Sequence, residues 1–544
     1  MKKVYLIICF LTIIHSSYGQ GNELWYYDVN DMSFGNSACA DIDDDGLLEI
    51  VFSCYRNDST VYALNAENGS LLWKVNTGGC NDVAPLIWDV DQDGELEVIL
   101  PSSCVAKTFC YDGLTGNLEW FANTRGSDSP PTVADIDNDG KYEILHGEFG
   151  GYVICINGED GSVSWEIAVN TNSWVQTAPA ILDVDDNGQL DFIVATWVFG
   201  GQGDIYAYTG DSALLIWEDT IPSDFFYHGA SFADIDGDNK PELTIGCYDG
   251  NVYALNAEDG SHLWTYFHPD AYPQYVGAPT SIADLNNDEL YEIVFINGNR
   301  LGVLSNTGDL LWDYPITGYS TSFRGAAISD INNDDTLDVV FGTSAGELIG
   351  LSGGSGSVLF YEDIESAYGS NFEIDHAPII ADFNNDSIND IFVVGGHAEY
   401  PDIFNNYGRA YAFETPGGKG TGWPMFRFDE RRSGCYKDTT PVVSTEPEHF
   451  IPEEFVLHQN YPNPFNPITT LRYDLPKNGH VNITIYDMLG REVRTLINQT
   501  QDAGYKSVIW DATNNQGNPV SAGVYLYQIQ AGEFVQTKKM VLLK

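Results

Sequence analysis

Short apolar runs and acidic turns alternate along most of this chain with one repeating rhythm. In one repeat APLIW (84–88) leads into an acidic loop and EVIL (97–100) leaves it. In the repeat before it, VYALNAENGSLLW (61–73) shows two stretches of period-2 alternation joined by an Asn-Gly turn, and VYALNAEDGSHLW (252–264) nearly duplicates it. Alternation at period two turns one face of a stretch toward a core, so each repeat predicts four short antiparallel strands. The acidic loop recurs eight times, starting at Asp41, Asp89, Asp135, Asp183, Asp234, Asp284, Asp330 and Asp382, 46 to 52 residues apart. A fixed period of this length marks a repeat architecture, and four strands per period make one blade of a β-propeller.

A second spacing runs through the same repeats. Ala or Cys, then Gly, then Trp recur at fixed intervals from Ala63 to Trp73, Cys110 to Trp120, Cys155 to Trp165 and Ala254 to Trp264. Ala213 replaces the Gly before Trp217, Trp312 keeps the motif one residue short, and Phe360 replaces the Trp in the seventh repeat. A flat indole at that position is read as packing between neighbouring blades. ELWYYDV (23–29) stands before the first loop and is expected to complete the last blade, which would close the ring and remove open sheet edges. The predicted fold class is all-β: an eight-bladed β-propeller, with seven blades as the alternative, followed by a small Ig-like β-sandwich.

Charge narrows the choice of partners. The chain has 544 residues, 79 acids against 24 bases and a formal charge of −55, while the stretch from Phe455 onward carries 8 bases against 6 acids. The acid excess therefore belongs to the repeats, and nucleic acid is excluded as a partner. The start, MKKVYLIICFLTIIHSSYGQ, has two Lys, an apolar run too short to span a bilayer and small residues after it, as a secretory signal over residues 1–19 would. The rest is expected to be exported, not transmembrane and monomeric. Of the Cys beyond the signal, Cys110 and Cys155 align with Ala63 and are read as small core residues. Five lie between Cys39 and Cys110, where one or two disulfides are expected, and no C-x-x-C pair supports a zinc or redox motif.

Carboxylates crowded into one loop repel unless a cation joins them. Side chains at loop positions 1, 3, 5 and 9, with a backbone carbonyl at 7, can surround a hard ion with oxygen, which suits calcium. The candidate ligands are Asp41, Asp43, Asp45 and Glu49; Asp89, Asp91, Asp93 and Glu97; Asp135, Asp137, Asp139 and Glu143; Asp183, Asp185, Asn187 and Asp191; Asp234, Asp236, Asp238 and Glu242; Asp284, Asn286, Asp288 and Glu292; Asp330, Asn332, Asp334 and Asp338; Asp382, Asn384, Asp386 and Asp390. Position 2 is apolar in all eight, which solvated turns would not require. Loops one to four hold Gly at position 6, where a left-handed turn needs it; the later loops hold Asn239, Glu289, Asp335 and Ser387 and are expected to bind more weakly.

These loops resemble the FG-GAP/VCBS family, the calcium-loop blades of integrin α-subunit heads and of many bacterial surface proteins. The Trp motif resembles the quinoprotein-type propeller repeat. Together the resemblances cover about Glu23 to Tyr436, within a propeller domain expected over residues 20–436, and imply structural calcium on one face and ligand binding on the other. After a Pro- and Glu-containing linker, 437–454, residues 455–544 resemble the C-terminal sorting domain of type IX secretion. The matching positions are Asn460, Pro462, Asn463, Pro464, Phe465, Tyr486, Asp487, Gly490, Trp510, Gly523, Tyr525, Lys538, Lys539 and Lys544. This resemblance implies passage through the outer membrane by secretion machinery, to an extracellular or surface-attached destination.

Catalytic motifs are scarce. GTSAG (342–346) fits the G-x-S-x-G string but falls in a strand-to-strand turn, where a nucleophile elbow needs a strand-to-helix turn. There is no H-E-x-x-H and no P-loop, and the adjacent Cys pair of alcohol-oxidising quinoproteins is absent. The links between blades turn aromatic in the middle repeats, and Trp174, Phe226, Tyr227, Tyr272, Tyr275, Tyr319, Phe323, Arg324 and Tyr368 are the candidate ligand-binding residues. The leading expectation is a non-enzymatic module for adhesion or for recognising a glycan or surface protein. The alternative is an extracellular enzyme, a polysaccharide lyase or a quinoprotein-type oxidoreductase, using the same aromatic face.

Overall fold

The computed structural model describes residues 22–418 apart from 44, 186, 199, 317–319 and 400–402; residues 424, 425 and 427; and residues 455–543 apart from 458, 459, 461, 462, 466, 468, 478, 502, 503, 511, 517 and 533. The expected signal and linker lie outside these residues. The chain divides into two compact units, with the boundary between Val443 and Ser444.

Among the described residues the first unit holds eight four-stranded antiparallel sheets. The first is Ala38–Ala40, Glu49–Ser53, Thr60–Asn65 and Leu71–Asn76, paired in sequence order, and six more follow the same order. The eighth is built differently. Ile379–Ala381, Asp390–His397 and Tyr407–Glu414 supply three strands, and Asn22–Val29 pairs antiparallel with Tyr407–Glu414 to supply the fourth. The N-terminal strand thus takes the place expected of it.

Register explains the recurring Trp. Ala63 lies opposite Trp73, Cys110 opposite Trp120, Cys155 opposite Trp165, Ala254 opposite Trp264 and Gly350 opposite Phe360, so a small residue faces the large ring in these repeats, while Val303 stands opposite Trp312. Each ring then reaches the next sheet. The indole N–H of Trp73 donates to Gly113 O at 2.5 Å, that of Trp120 to Gly158 O at 2.9 Å and that of Trp312 to Gly353 O at 2.8 Å. Trp25, on the N-terminal strand, closes the series by donating to Ala66 O at 2.6 Å in the first sheet. The motif Gly is needed for this docking: at Gly69, φ +68°, a Cβ would lie 2.4 Å from the Trp25 ring. Where Ala213 stands instead, at φ +50°, Trp165 stacks on Phe192 at 5.5 Å and makes no such bond among those seen.

In a sheet paired in sequence order, the turn between first and second strands lies at one end, and the turn between second and third strands, with the link to the next sheet, lies at the other. All eight acidic loops are first-to-second turns. The aromatic links belong to the opposite end. Cys80 and Cys104 form a disulfide, one bridge where one or two were expected, while Cys110 and Cys155 are free and buried in the core as read. No helix among the described residues is long and apolar enough to cross a membrane.

The second unit is a two-sheet assembly. Val456–Leu457, Thr469–Leu475 and Gly504–Trp510 form one sheet. Gly479–Asp487, Glu492–Gln501, Gly523–Ala531 and Phe534–Leu542 form the other. Trp510, Tyr473 and Tyr527 are fully buried in its core, and the Trp510 N–H is satisfied by Thr513 O at 2.9 Å. This is the small sandwich predicted. Of the sorting-motif positions, Pro462 and Lys544 lie outside the described residues.

Candidate metal loops and an axial recess

Each acidic loop is held by its own carboxylates. Asp41 accepts the Asp45 and Gly46 N–H groups at 3.1 and 3.0 Å, and Asp89, Asp135, Asp183, Asp284 and Asp382 repeat this 1-to-5 and 1-to-6 pattern. In the fifth and seventh loops Asp234 and Asp330 accept from position 4 and position 6 instead. Position 6 is left-handed in all eight, Gly46, Gly94, Gly140 and Gly188 at φ +83° to +96° and Asn239, Glu289, Asp335 and Ser387 at +63° to +69°. The later loops therefore keep the shape and carry backbone strain that Gly avoids.

Position 9 is the most informative. Glu49, Glu97, Glu143, Asp191, Glu242, Glu292, Asp338 and Asp390 are all buried. Each accepts the N–H of the apolar position-2 residue at 2.8 to 3.1 Å. Position 2 is apolar because it anchors in the core, and its amide fixes one carboxylate oxygen. The other oxygen of Glu242, Asp338 and Asp390 is buried with no hydrogen-bond partner. In the sixth loop Asn286 Nδ2 donates to it, at 3.0 Å from Glu292. Burial, followed by repulsion from the loop's other acids, pushes these groups up, from about 6 for Asp191 to about 8 for Glu97 and Glu242. A buried carboxylate with an idle oxygen beside like charges is a place for a cation. In the first five loops carboxylates alone supply three converging ligands. There Asp41, Asp43 and Asp45; Asp89, Asp91 and Glu97; Asp135, Asp137 and Glu143; Asp183, Asp185 and Asp191; and Asp234, Asp236 and Glu242 bring carboxylate oxygens within 4.8 Å of one another. The all-oxygen donor sets fit calcium.

At the other end the rings form a continuous arc. Phe149 lies 4.6 Å from Trp174, Trp174 4.9 Å from Trp197, Trp197 5.3 Å from Phe225, Phe225 4.3 Å from Tyr248 and Tyr248 5.1 Å from Tyr275. Tyr275 lies 6.5 Å from Phe323, which meets Tyr227 edge-on at 5.0 Å. Of the sequence candidates, Trp174, Tyr227, Tyr275, Phe323 and Arg324 come together here. Phe226 is corrected: it is 0% exposed and packs in the core, because alternation along the link turns Phe225 and Tyr227 outward and the ring between them inward. Tyr272 is 63% exposed. Tyr368 stacks on Tyr407 at 5.4 Å beside Arg409, in a separate cluster with Tyr26 and Tyr411. Tyr319 lies outside the described residues.

The arc ends at Arg324, a sequence candidate, and at three acids around it, Asp82, Asp128 and Asp375, that the sequence reading missed. Arg324 is 5% exposed, and its Nη2 donates to Asp82 Oδ1 at 2.8 Å. Its guanidinium also acts on Asp128 and Asp375. Burial raises all three carboxyls, Asp375 to about 6, and Arg324 opposes the rise. Asp82, Asp128, Tyr227, Phe323 and Asp375 all stand seven residues before the first Asp of their repeat's acidic loop, as do Phe34, Gln176 and Gly277. They come from repeats two, three, five, seven and eight, so their meeting places them about the axis on which the sheets converge. The signal was that shared offset. The disulfide at Cys80 secures the segment carrying Asp82.

Below this recess lies the chain that leaves the last sheet. Pro424 O accepts the Ile380 N–H at 2.9 Å, and Arg427 Nη1 donates to Ala230 O at 2.8 Å, so residues three apart bind the inner strand of the eighth sheet and the approach to that of the fifth. Gly229 makes the room: a Cβ there would lie 2.3 Å from Arg427 Nη1.

These features define an all-β propeller with acidic turn loops, joined to an Ig-like sandwich. Comparison with known proteins agrees. A family model described as an FG-GAP-like repeat matches residues 183–245, and one described as an FlgD Ig-like domain matches residues 468–533. A lambda-carrageenase from Pseudoalteromonas sp is 30% identical over 149 residues, 26% of this chain and 15% of the relative's length. Among solved structures, the quinohemoprotein alcohol dehydrogenase from Comamonas testosteroni is similar at TM-score 0.52 and 13% identity, covering 74% of this chain and 77% of that one. A europium-containing methanol dehydrogenase has TM-score 0.51 and 12% identity, covering 72% and 93%. Sqt1 of Saccharomyces cerevisiae has TM-score 0.52 and 12% identity, covering 73% and 100%. At these identities the likeness is one of fold.

Proposed function

We propose that the chain is an exported, calcium-braced propeller of eight blades that recognises a glycan or a surface protein through the end opposite its acidic loops. The aromatic arc from Phe149 to Phe323 carries this reading, because half-open rings beside polar groups offer stacking faces that a folded core has no use for. Calcium held by the eight loops would neutralise the buried position-9 carboxylates and fix the turn between first and second strands; it takes no part in recognition. The residues that would hold it are those at positions 1, 3, 5 and 9. Binding of calcium-loaded protein to immobilised glycans and to cells, lost when Trp174, Tyr248 and Tyr275 are replaced by Ala at unchanged melting temperature, is the expected result; binding that survives all three replacements refutes it.

The C-terminal sandwich is read as a type IX-like sorting domain, supported by the motif positions from Asn460 to Lys539. Deleting residues 455–544 should leave the propeller folded and retained in the periplasm. A truncated chain that still reaches the medium rejects the assignment.

A second reading, an extracellular enzyme acting on a polysaccharide, is favoured by two observations. Three carboxyls with raised pKa surround one Arg in a recess, as at many catalytic centres, and part of the chain matches a carrageenase. Release of reducing or unsaturated sugar ends from a polysaccharide panel, abolished by Asp82→Asn, would favour this reading over simple recognition.

A further inference from the structure

We infer that the axial recess around Arg324 is the binding site for a neutral sugar residue at the end of a glycan, and that it turns away sulfated and carboxylated sugars. This rests on the recognition reading above and names its site and ligand class.

Three properties of the recess lead there. The first is its two-sided lining. Asp82, Asp128 and Asp375 stand about Arg324, whose guanidinium lies 5.6 Å from the Tyr227 ring centre and 5.5 Å from that of Phe323. Asp82, Tyr227 and Phe323 keep part of their surface open to solvent. Acids and partly exposed rings in one lining suit a pyranose, whose hydroxyls lie at its rim and whose C–H groups form its faces.

The second property is unused hydrogen-bonding capacity of both kinds. Gln176, 4% exposed, donates its Nε2 to Asp128 Oδ2 at 3.0 Å and leaves its Oε1 without a partner. Asp128 Oδ1 and Arg324 Nε are also unpartnered. Acceptors and a donor side by side match hydroxyl groups, each of which gives one hydrogen bond and takes others. Buried groups left in this condition are costly, and a polyol would relieve them.

The third property is charge. Three acids stand against one guanidinium in a low-dielectric setting, and as they ionise they would repel a sulfate or uronate. A ligand ammonium would find its place taken, since Arg324 already sits between the acids and the rings. Arg427, buried and bound to Ala230 O three residues beyond Tyr227, takes up space beneath the recess, which favours entry of a chain end over a threading chain.

The experiment titrates the full chain, loaded with calcium, with neutral hexose and N-acetylhexosamine oligosaccharides and, in parallel, with sulfated galactan and uronate oligosaccharides. Neutral oligosaccharides should bind at least about tenfold more tightly than the anionic ones. Gln176→Ala and Phe323→Ala should each weaken neutral binding about tenfold with the melt unchanged; should Phe323→Ala fail to fold, Phe323→Leu, which keeps bulk and removes the π face, carries the same expectation. Asp128→Asn combined with Asp375→Asn should narrow the gap between neutral and sulfated ligands. A preference for sulfated ligands, or neutral binding that ignores the Gln176 and Phe323 variants but is lost with Arg409→Ala, would overturn the recess as the site while leaving glycan recognition standing. Failure of every oligosaccharide to bind would overturn the recess as a sugar site and the glycan half of the recognition reading, leaving a surface protein as the ligand of the aromatic end.

Discussion

The two ends of the propeller are built from the same repeats by opposite rules. At the acidic end every repeat offers nearly the same residues at the same places. Position 1 is always Asp, position 2 always apolar, and position 9 always a buried carboxylate bonded to the position-2 amide. At the axial end, seven residues earlier, the eight repeats offer Phe34, Asp82, Asp128, Gln176, Tyr227, Gly277, Phe323 and Asp375. Uniformity is what a structural device requires, since each blade has the same turn to stabilise. Diversity at one offset makes a single asymmetric surface, and an asymmetric surface can discriminate between ligands. The repeat sequence thus separates what holds the blades from what the blades hold.

The widest break in that comparison comes from removing the metal. Binding to the native state alone stabilises it by about 2.7 kcal/mol per site at a hundredfold excess over Kd, so several sites sum to a large effect. Excess chelator should lower the melting temperature by tens of degrees, in steps, with loops six to eight releasing first because Asn286, Asn332 and Asn384 reduce their ligand charge. Calorimetry with and without chelator reads this directly, and an unchanged melt would make the acidic end ornamental.

A smaller effect with a definite sign concerns pH. In calcium-free protein burial pushes the position-9 carboxyls up to about 6 to 8, above the ordinary values of 4.5 for Glu and 3.8 for Asp. A carboxyl raised in the folded state favours folding when protonated, so the chelated protein should gain stability as pH falls from about 8 toward 4.5. Calcium requires the ionised form, and the loaded protein should lose stability over the same interval. Opposite slopes of melting temperature against pH are the expected outcome. Parallel slopes would mean that these groups are not the ligands.

How much of this was legible in the sequence follows the same division. The loops, the strands beside them and the docking Trp could be read because each is a fixed spacing repeated many times: Ala63 and Trp73 face each other for the same reason as Cys110 and Trp120. Trp25 could be placed because it is that motif detached from its repeat. The axial recess was not legible, because Arg324 and Asp82 are 242 residues apart and only closure of the ring brings them together. The link aromatics were half legible. Their presence was plain, but alternation in the link decides that Phe225 joins the arc and Phe226 the core. Phe149, Trp197 and Tyr248 escaped notice because they stand in second-to-third strand turns and mean nothing until the links lie beside them.

The finest test lies within the acidic end, where uniformity is incomplete. Glu289 and Ser387 occupy a left-handed position, φ +69° in both, that Gly fills in the first four loops. A non-Gly residue there costs about 1 kcal/mol or slightly more. Ser387→Gly and Glu289→Gly should therefore raise stability by about 1 kcal/mol each and tighten calcium binding at their own loops, since the turn no longer resists the geometry that the ligands need. The reverse change, Gly188→Ala, should cost a similar amount, and it isolates backbone strain because a Cβ at Gly188 meets nothing within 4 Å. Calcium titrations of the three variants against the parent decide the matter. Gains at loops six and eight matched by a loss at loop four would show that strain at position 6 separates strong loops from weak ones. If only the charge of position 3 mattered, all three variants would titrate like the parent.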